Sequence, residues 1–437
     1  MSKAYEKYKV SGFEWMKEIP TSWDTASLNH VVKFIMGQAP HSDSYNTDGE
    51  GEIFIKTGDF GDLRPNIKWY TTKPLVFASE EDVFMCVVGA TSGKVNLGVN
   101  GTISRSIAAL RPSKRLSQKY LYYYLACNYQ RLNDAAQGSA QGIINKTILA
   151  GIKVPLPSIK EQTKIAQYLD HQTSIIDQLI LQKEKLIELL KEKKQAVINE
   201  AVTTGLNPNA KMKESSLEWL GAIPQAWNLV QIRHLNTKVG SGVTPKGGAE
   251  VYTEEGVIFI RSQNVHFDGL RLDDVVRIDL DTHEKMTGSK VQFKDVLLNI
   301  TGASIGRCCV VDIHEEMNVN QHVCIIRPTQ RVLPEYLNLV LQSNIGQVQI
   351  KLGTTGGNRE GLTFEAIKEF TIPLPELTEQ QEILHKVQSS LKRYYELENL
   401  NSIQINKLKE YCQSIIAEAV TGNIDVRDWQ PNKKQVA

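Results

Sequence analysis

Apolar and polar residues alternate along this chain in two different rhythms, and the succession of rhythms occurs twice. Short β-branched and aromatic runs, Glu52–Ile55 and Val83–Val88 and later Val257–Ile260 and Val296–Ile300, read as strands punctuated by Gly- and Asn-rich turns. Tyr120–Ala126 and Glu335–Leu341 read as short helices packed on those sheets. Each such region ends at a Pro-Leu-Pro, beyond which the texture changes. From about Ser158 to Thr203 there is no Pro or Gly, and apolar residues recur at alternating spacings of three and four: Ile165, Leu169, Ile176, Leu179, Leu186, Leu190 and Val197. The same register later gives Ile383, Val387, Tyr394, Leu397, Leu408, Tyr411 and Ile415. A stripe sustained over five heptads in both places favours a coiled coil over the buried face of a domain helix. At about 1.5 Å per residue such a helix spans roughly 70 Å.

The sequence also repeats itself in detail. Glu14–Trp23 (EWMKEIPTSW) matches 218–227 (EWLGAIPQAW), and FIKTGDF at 54–60 matches FIRSQNV at 259–265. ALRPSKRLSQKYLYYYL at 109–125 resembles IIRPTQRVLPEYLNLVL at 325–341. VPLPSIKEQ at 154–162 matches IPLPELTEQ at 372–380, and EAVT at 200–203 recurs at 418–421 with the same separation. Landmarks kept in order across two halves identify a tandem duplication, each copy being a globular part followed by a helix. The boundaries expected are 1–157 and 208–375 for the globular parts, 158–207 and 376–424 for the helical spacers, and 425–437 for a tail. The fold class is α+β: two similar mixed domains joined by two long helices.

The second helix, equally long and equally striped, has the first as its obvious partner. To meet it the second must run back antiparallel, bringing the end of the chain beside the first domain in a nearly circular, approximately two-fold arrangement. Polar residues interrupt the stripe at Gln172, Lys183 and Lys193 and at Ser390, Asn401 and Gln404. Antiparallel pairing puts Lys183 near Asn401, where a polar layer would hold the register; otherwise Lys183 snorkels to water.

Composition narrows the class without naming a chemistry. At 41% apolar and 23% charged, the 437 residues suit a globular protein of several domains. No apolar run approaches a membrane span and the start lacks a signal-peptide core, so a cytoplasmic location is expected. Cys86, Cys127, Cys308, Cys309, Cys324 and Cys412 form no CxxC pair and read as small core residues. The net charge is +1, with 18 Lys+Arg against 14 Asp+Glu in 1–157 and 17 against 19 in 208–375. Any contact with nucleic acid must therefore use locally placed groups.

Catalytic signatures are missing. Gly89-Ala-Thr-Ser-Gly-Lys94 is one residue short of a phosphate loop, and Val95 stands where a magnesium-binding hydroxyl belongs. There is no GxGxxG after a strand, no Asn-Pro-Pro-Tyr type tetrapeptide for a flipped adenine, no acidic pair followed by ExK, and no HxxxH or HExxH. His266 and His322 read as surface or turn residues. No metal site is expected, and the chain is not expected to be an enzyme.

Glu-Trp-x-x-x-Ile-Pro-x-x-Trp opening each half, Pro-Leu-Pro-x-x-x-Glu-Gln before each long helix, and Glu-Ala-Val-Thr closing it resemble the specificity subunits of type I restriction-modification enzymes. The resemblance covers nearly the whole chain, twice. One departure is that the first repeat closes Thr203-Thr204-Gly205 where the second has Thr421-Gly422. The resemblance implies that each globular part is a target-recognition domain reading one half of a split, asymmetric double-stranded DNA site. It further implies that the spacers hold two copies of a modification (adenine methyltransferase) subunit, which a restriction and translocase subunit joins. S-adenosylmethionine, ATP and Mg would sit on those partners, with no cofactor on this chain. A rod between the domains would set the run of unread base pairs.

Bases are read by Arg, Lys, Asn, Gln, Ser and Thr on exposed loops, and phosphates by cations or backbone amides. The candidates in the first domain are Lys56, Thr57 and Asp59 after a strand, Arg64 and Asn66 beyond, Lys94 and Arg105 around a Gly-rich turn, and Ser139 and Gln141 in GSAQG. Those in the second are Arg261, Ser262, Gln263 and Asn264, then Arg307, Gln321 and His322, with Asn358 and Arg359 in GTTGGNREG. The two strand-end clusters are favoured as groups. Trp15, Trp23, Trp219 and Trp227 are expected to pack structurally. The competing function is a duplicated protein-binding scaffold with no DNA recognition.

Overall fold

A computed structural model describes residues 4–13, 15–138, 143–245, 247–354 and 361–431. The chain divides into two compact units, Met1–Lys183 with Ser402–Ala437, and Glu184–Asn401. Each contains one globular domain and one half of each long helix.

In the first unit a four-stranded antiparallel sheet runs in the order Val95–Leu97, Val83–Cys86, Ile107–Pro112, Val32–Met36. A second sheet places Glu52–Ile55 beside Gly101–Ile103 as a parallel pair, with Ile103 opposite Ile55. The strand after that pair, Ile107–Pro112, enters the first sheet, so Ser104–Ser106 forms the crossing between the two. The second unit repeats the plan. Asn236–Ser241, Val323–Pro328, Val296–Asn299 and Cys308–Val310 form its four-stranded sheet, and Val257–Ile260 lies parallel to Met317–Val319 with Ile260 opposite Val319. The helices Gln118–Cys127 and Pro334–Gln342 bear buried Tyr120 and Tyr336, whose hydroxyls donate to the Pro155 carbonyl at 3.1 Å and the Pro373 carbonyl at 3.0 Å. The expected strands and short helices are present, each within one or two residues of its place.

The long helices are Ile159–Thr203 and Leu377–Thr421, 45 residues each. Within the first unit Ile165, Leu169 and Ile176 share a core with Ile415, Ala419 and Val420. Within the second unit Ile198, Ala201 and Val202 share one with Ile383 and Val387. The start of each helix thus meets the end of the other, which is antiparallel packing. Lys183 Nζ donates to Gln404 Oε1 at 2.5 Å, and Lys194 Nζ meets Glu398 Oε2 at 2.7 Å. A polar layer therefore forms at Lys183, facing Gln404; Asn401 is buried and donates its amide to the Leu397 carbonyl.

The heptad stripe needs correction. Leu179, Leu186, Leu397 and Tyr411 are exposed, by 40%, 43%, 37% and 56%. The other ten stripe positions are buried or half-buried, and so is an eleven-residue series, at Ile165, Ile176, Ile187 and Ile198 and at Ile383, Tyr394, Ile405 and Ile416. A strict seven-residue repeat drifts about 20° per heptad on a straight helix, whereas an eleven-residue repeat gives about 3.67 residues per turn, close to the natural 3.6. The seam carries both spacings: Leu169, Ile176, Leu190 and Val197, and Val387, Tyr394, Leu408 and Ile415, stay on it at multiples of seven.

The repeated motifs are joints between domain and helix. Trp23 and Trp227 are fully buried, and their indole N–H groups donate to Glu161 at 3.0 Å and Glu379 at 2.9 Å. Those glutamates belong to the two Pro-Leu-Pro-x-x-x-Glu-Gln motifs. The neighbouring glutamines are buried as well. Gln162 accepts from Ser117 N at 2.7 Å and donates to Arg115 O and Pro157 O; Gln380 accepts from Leu333 N at 2.9 Å and donates to Arg331 O and Pro375 O. Gly422, at φ 78°, ends the second helix against Pro20 and Trp23, and Gly205, at φ 72°, ends the first against Trp227. A side chain at either would collide with the ring, so the differing Thr-Thr-Gly and Thr-Gly endings both deliver glycine to a tryptophan. Trp15 and Trp219 are half-buried and pack on the same cores. The tail joins the first unit: Ile424 and Val426 are buried there, Trp429 packs edge-on against Tyr168, and Tyr8 donates to Gly422 O at 3.1 Å.

Of the cysteines, all six are free; Cys86, Cys308, Cys309 and Cys324 are buried, and Cys127 and Cys412 are half-buried. No helix among the described residues is long and apolar enough to cross a membrane.

Candidate nucleic-acid interface

The carboxyl ends of the parallel pair organise the candidate residues. Beyond Ile55 the chain makes a 3-10 turn, Thr57–Asp59, and beyond Ile260 it makes another, Ser262–Asn264. Leaving a strand strands a backbone donor, and each turn supplies its acceptor. Asp59 accepts the Lys56 N–H at 2.8 Å; Asn264 accepts the Arg261 N–H at 3.0 Å and donates to Arg271 O at 3.0 Å. Both side chains are buried. Asp59 and Asn264, expected among the DNA-contacting groups, are corrected to braces of the turn.

The crossing segment lies beside these turns, since Ser104 N donates to Ile55 O and Asn320 N to Ile260 O, both at 3.0 Å. It carries exposed Arg105 in one domain and exposed Gln321 with half-buried His322 in the other. A hairpin turn completes the rim. Gly93, at φ 94°, and Gly306, at φ 86°, turn the chain back so that Lys94 O and Arg307 O accept from Cys86 N and Asn299 N at 2.8 Å. Lys94 Nζ reaches the strand-exit loop at Phe60 O, 3.2 Å away, and in the second domain Asn299 Nδ2 reaches Ser262 O at 2.7 Å.

Lys56, Thr57, Lys94 and Arg105 are therefore gathered on one rim, as are Arg261, Ser262, Gln263, Arg307, Gln321 and His322 on the other. In the second domain Thr244 donates to Gln321, whose amide meets His322 Nε2 at 3.1 Å, while His322 Nδ1 meets Thr301 Oγ1 at 2.5 Å. With Nε2 accepting, the ring proton sits on Nδ1 and is given to Thr301, so the imidazole is spent on bracing crossing to hairpin. Gln263 donates to Asp274 at 3.1 Å. Arg64 is held elsewhere, donating to Gly98 O past the far end of the Val95–Leu97 strand. Asn66 is exposed, its N–H bound to Asp59 O at 2.8 Å. Ser139, Gln141, Asn358 and Arg359 lie outside the described residues; the adjoining Ile143 and Gly361 bridge Val88 and Thr301 of the hairpin turns.

Sequence reasoning missed the aromatic residues of the rim. The Lys56 ammonium lies 3.6 Å from the centroid of the Trp69 ring and 4.4 Å from that of Tyr45, which itself stacks on Phe54 at 4.8 Å. Burial holds the Lys56 pKa below its ordinary value, against the opposing pull of Asp59. Arg261 similarly lies 5.8 Å from the Tyr252 ring centroid and donates to Asp274 O at 3.2 Å. No short motif links Lys56 to rings eleven and thirteen positions away; only strand pairing brings them together.

One domain plan used twice, with a shared frame and different polar side chains at matching rim positions, defines a duplicated recognition protein. The family model described as the type I restriction modification DNA specificity domain matches residues 20–191 and again 227–407. The chain belongs to that family: it is a type I restriction-modification specificity subunit, a non-catalytic component. It is 24% identical to the type I restriction enzyme MjaVIII specificity subunit of Methanocaldococcus jannaschii, over 96% of this chain and 98% of that one. It is 23% identical to the EcoBI specificity subunit of Escherichia coli, over 98% and 91%. A chain solved in work on complex assembly and conformational transition of the type I R-M system shares the fold at TM-score 0.73 and 15% identity, covering 93% of this chain and 99% of that one. The HsdS subunit from Thermoanaerobacter tengcongensis does so at 0.52 and 15%, covering 93% and 98%.

Proposed function

We propose that residues 1–157 and 208–375 are target-recognition domains, each reading one half of a bipartite, asymmetric double-stranded DNA site. The observation that carries this reading is the rim. Lys56, Lys94 and Arg105 occupy the places of Arg261, Arg307 and Gln321 on equivalent strand ends and turns. Frame residues kept alike while rim residues diverge suit two readers of unrelated sequences.

The long helices position the enzymatic partners. Leu181 and Ile403 in the first unit, and Leu189 and Leu400 in the second, stand exposed in addition to the four displaced stripe residues. Apolar side chains in such number suit protein partners, and their presence in both units suits two copies of an adenine methyltransferase subunit. A restriction and translocase subunit completes the assembly. S-adenosylmethionine, ATP and Mg belong to those partners, in the cytoplasm.

Genome-wide mapping of adenine methylation with and without this chain tests the proposal. A split motif that vanishes on deletion is expected; an unchanged methylome would refute it. DNA affinity of the assembled complex should also fall steeply with added salt, as phosphate contacts require, whereas a protein scaffold would bind DNA undetectably or without salt dependence.

A further inference from the structure

The rim cations differ in how they are held. Lys94 donates to the backbone carbonyl of Phe60. Arg105 is exposed and Arg307 half-buried, and neither makes a side-chain hydrogen bond or ion pair among the described residues. A long unbraced cation keeps its rotamer freedom and suits a phosphate, which it can meet from many directions. Lys56 and Arg261 are held in a third manner. Each directly follows the first strand of the parallel pair, its own backbone N–H fixed by Asp59 or Asn264. Each is seated against aromatic rings, Trp69 and Tyr45 for one and Tyr252 for the other.

Their donors are nonetheless underused. The Lys56 ammonium, partly desolvated between its rings, makes no hydrogen bond among the described residues. Arg261 spends Nη2 on Asp274 O, while its buried Nε has no acceptor. A cation aimed by rings loses little freedom on meeting an acceptor, and its weakened hydration makes a fixed acceptor more attractive. Adjacent acceptors reachable from outside a duplex, O6 and N7, are presented by guanine in the major groove.

We propose that Lys56 and Arg261 are the specificity-determining cations of the two domains, each donating to the O6/N7 edge of a guanine in its own half-site. This rests on the DNA-reading role argued above. Lys56→Met keeps the stem between the rings and removes the donor, and Arg261→Met does the same opposite Tyr252. With the methyltransferase partner present, Lys56→Met should relax one guanine position in one half of the methylated motif, with discrimination there falling about tenfold. Arg261→Met should relax one guanine in the other half only. Binding of the unaltered complex to DNA carrying 7-deazaguanine at those positions should weaken about tenfold, and Lys56→Met should be indifferent to the analogue in its half.

A motif that keeps every position while methylation falls evenly would assign these side chains to phosphates and overturn the proposal. A half-site without guanine on either strand would overturn it as well. Should a variant fail to fold, the 7-deazaguanine measurement on the unaltered protein decides alone. An absent wild-type motif sinks the DNA-reading role and this inference together; an intact motif indifferent to both variants sinks only the inference.

Discussion

Buried polar side chains at the two domain–helix joints carry more of this architecture than their number suggests. Gln162 and Gln380 are each fully buried with their amides hydrogen-bonded on both sides. Gln380→Ala strands the Leu333 N–H and two carbonyls, and should destabilise the second unit by about 3 kcal/mol, on the scale of one or two unsatisfied buried groups. Thermal unfolding should show this while the methylated motif of the surviving protein stays unchanged. Arg327 makes a two-pronged contact with Asp295 at 2.8 Å, the carboxylate being 1% exposed. Arg327→Met leaves that charge buried with only the Gln292 N–H to meet it and should cost about 3 kcal/mol in a denaturant titration. Burial pushes the thiols of Cys309 and Cys324 up to about 12. At pH 8 their thiolate is then roughly one part in ten thousand, so iodoacetamide should leave both unlabelled in the native state and modify them in urea. Rapid native labelling would contradict their place in the core.

At the scale of the element, the two long helices and ten of their fourteen seam residues were legible from the absence of Pro and Gly and from the apolar stripe, but which four positions leave the seam was not. A three–four spacing is compatible with repeats of seven and of eleven over two or three turns, and only a partner of known register separates them. The polar layer shows the same division. Lys183, Asn401 and Gln404 stand out as interruptions, but the pairing of Lys183 with Gln404 depends on the axial offset of the helices. Replacing both residues by Leu removes a desolvated polar pair and should raise the melting temperature by a few degrees, because such layers hold register at a cost in stability. A lowered melting temperature would mean that the layer stabilises outright.

At the scale of the whole molecule, duplication is the controlling fact. The matched joints at Trp23–Glu161 and Trp227–Glu379 give each domain the same connection to its helix. Exchanging residues 1–157 for the equivalent domain of another specificity subunit should change one half of the methylated motif and leave the other intact. A change in both halves would show that the domains do not read independently.

Periodicity and repetition along the chain were sufficient to determine the mixed domains, the pair of long helices and the return of the chain end to the first domain, while the family came from the resemblance its repeated motifs carry. These follow from near-neighbour spacing and from order, both of which survive in one dimension. What the tertiary structure decided is which polar residues are spent. Asp59 and Asn264 looked like readers and are braces; His322 bridges two loops; Lys56 acquires its aromatic seat from strands that pair only in the folded domain. A hydrogen bond or a ring contact depends on ångström-scale approach between segments distant in sequence, and no local pattern encodes that approach.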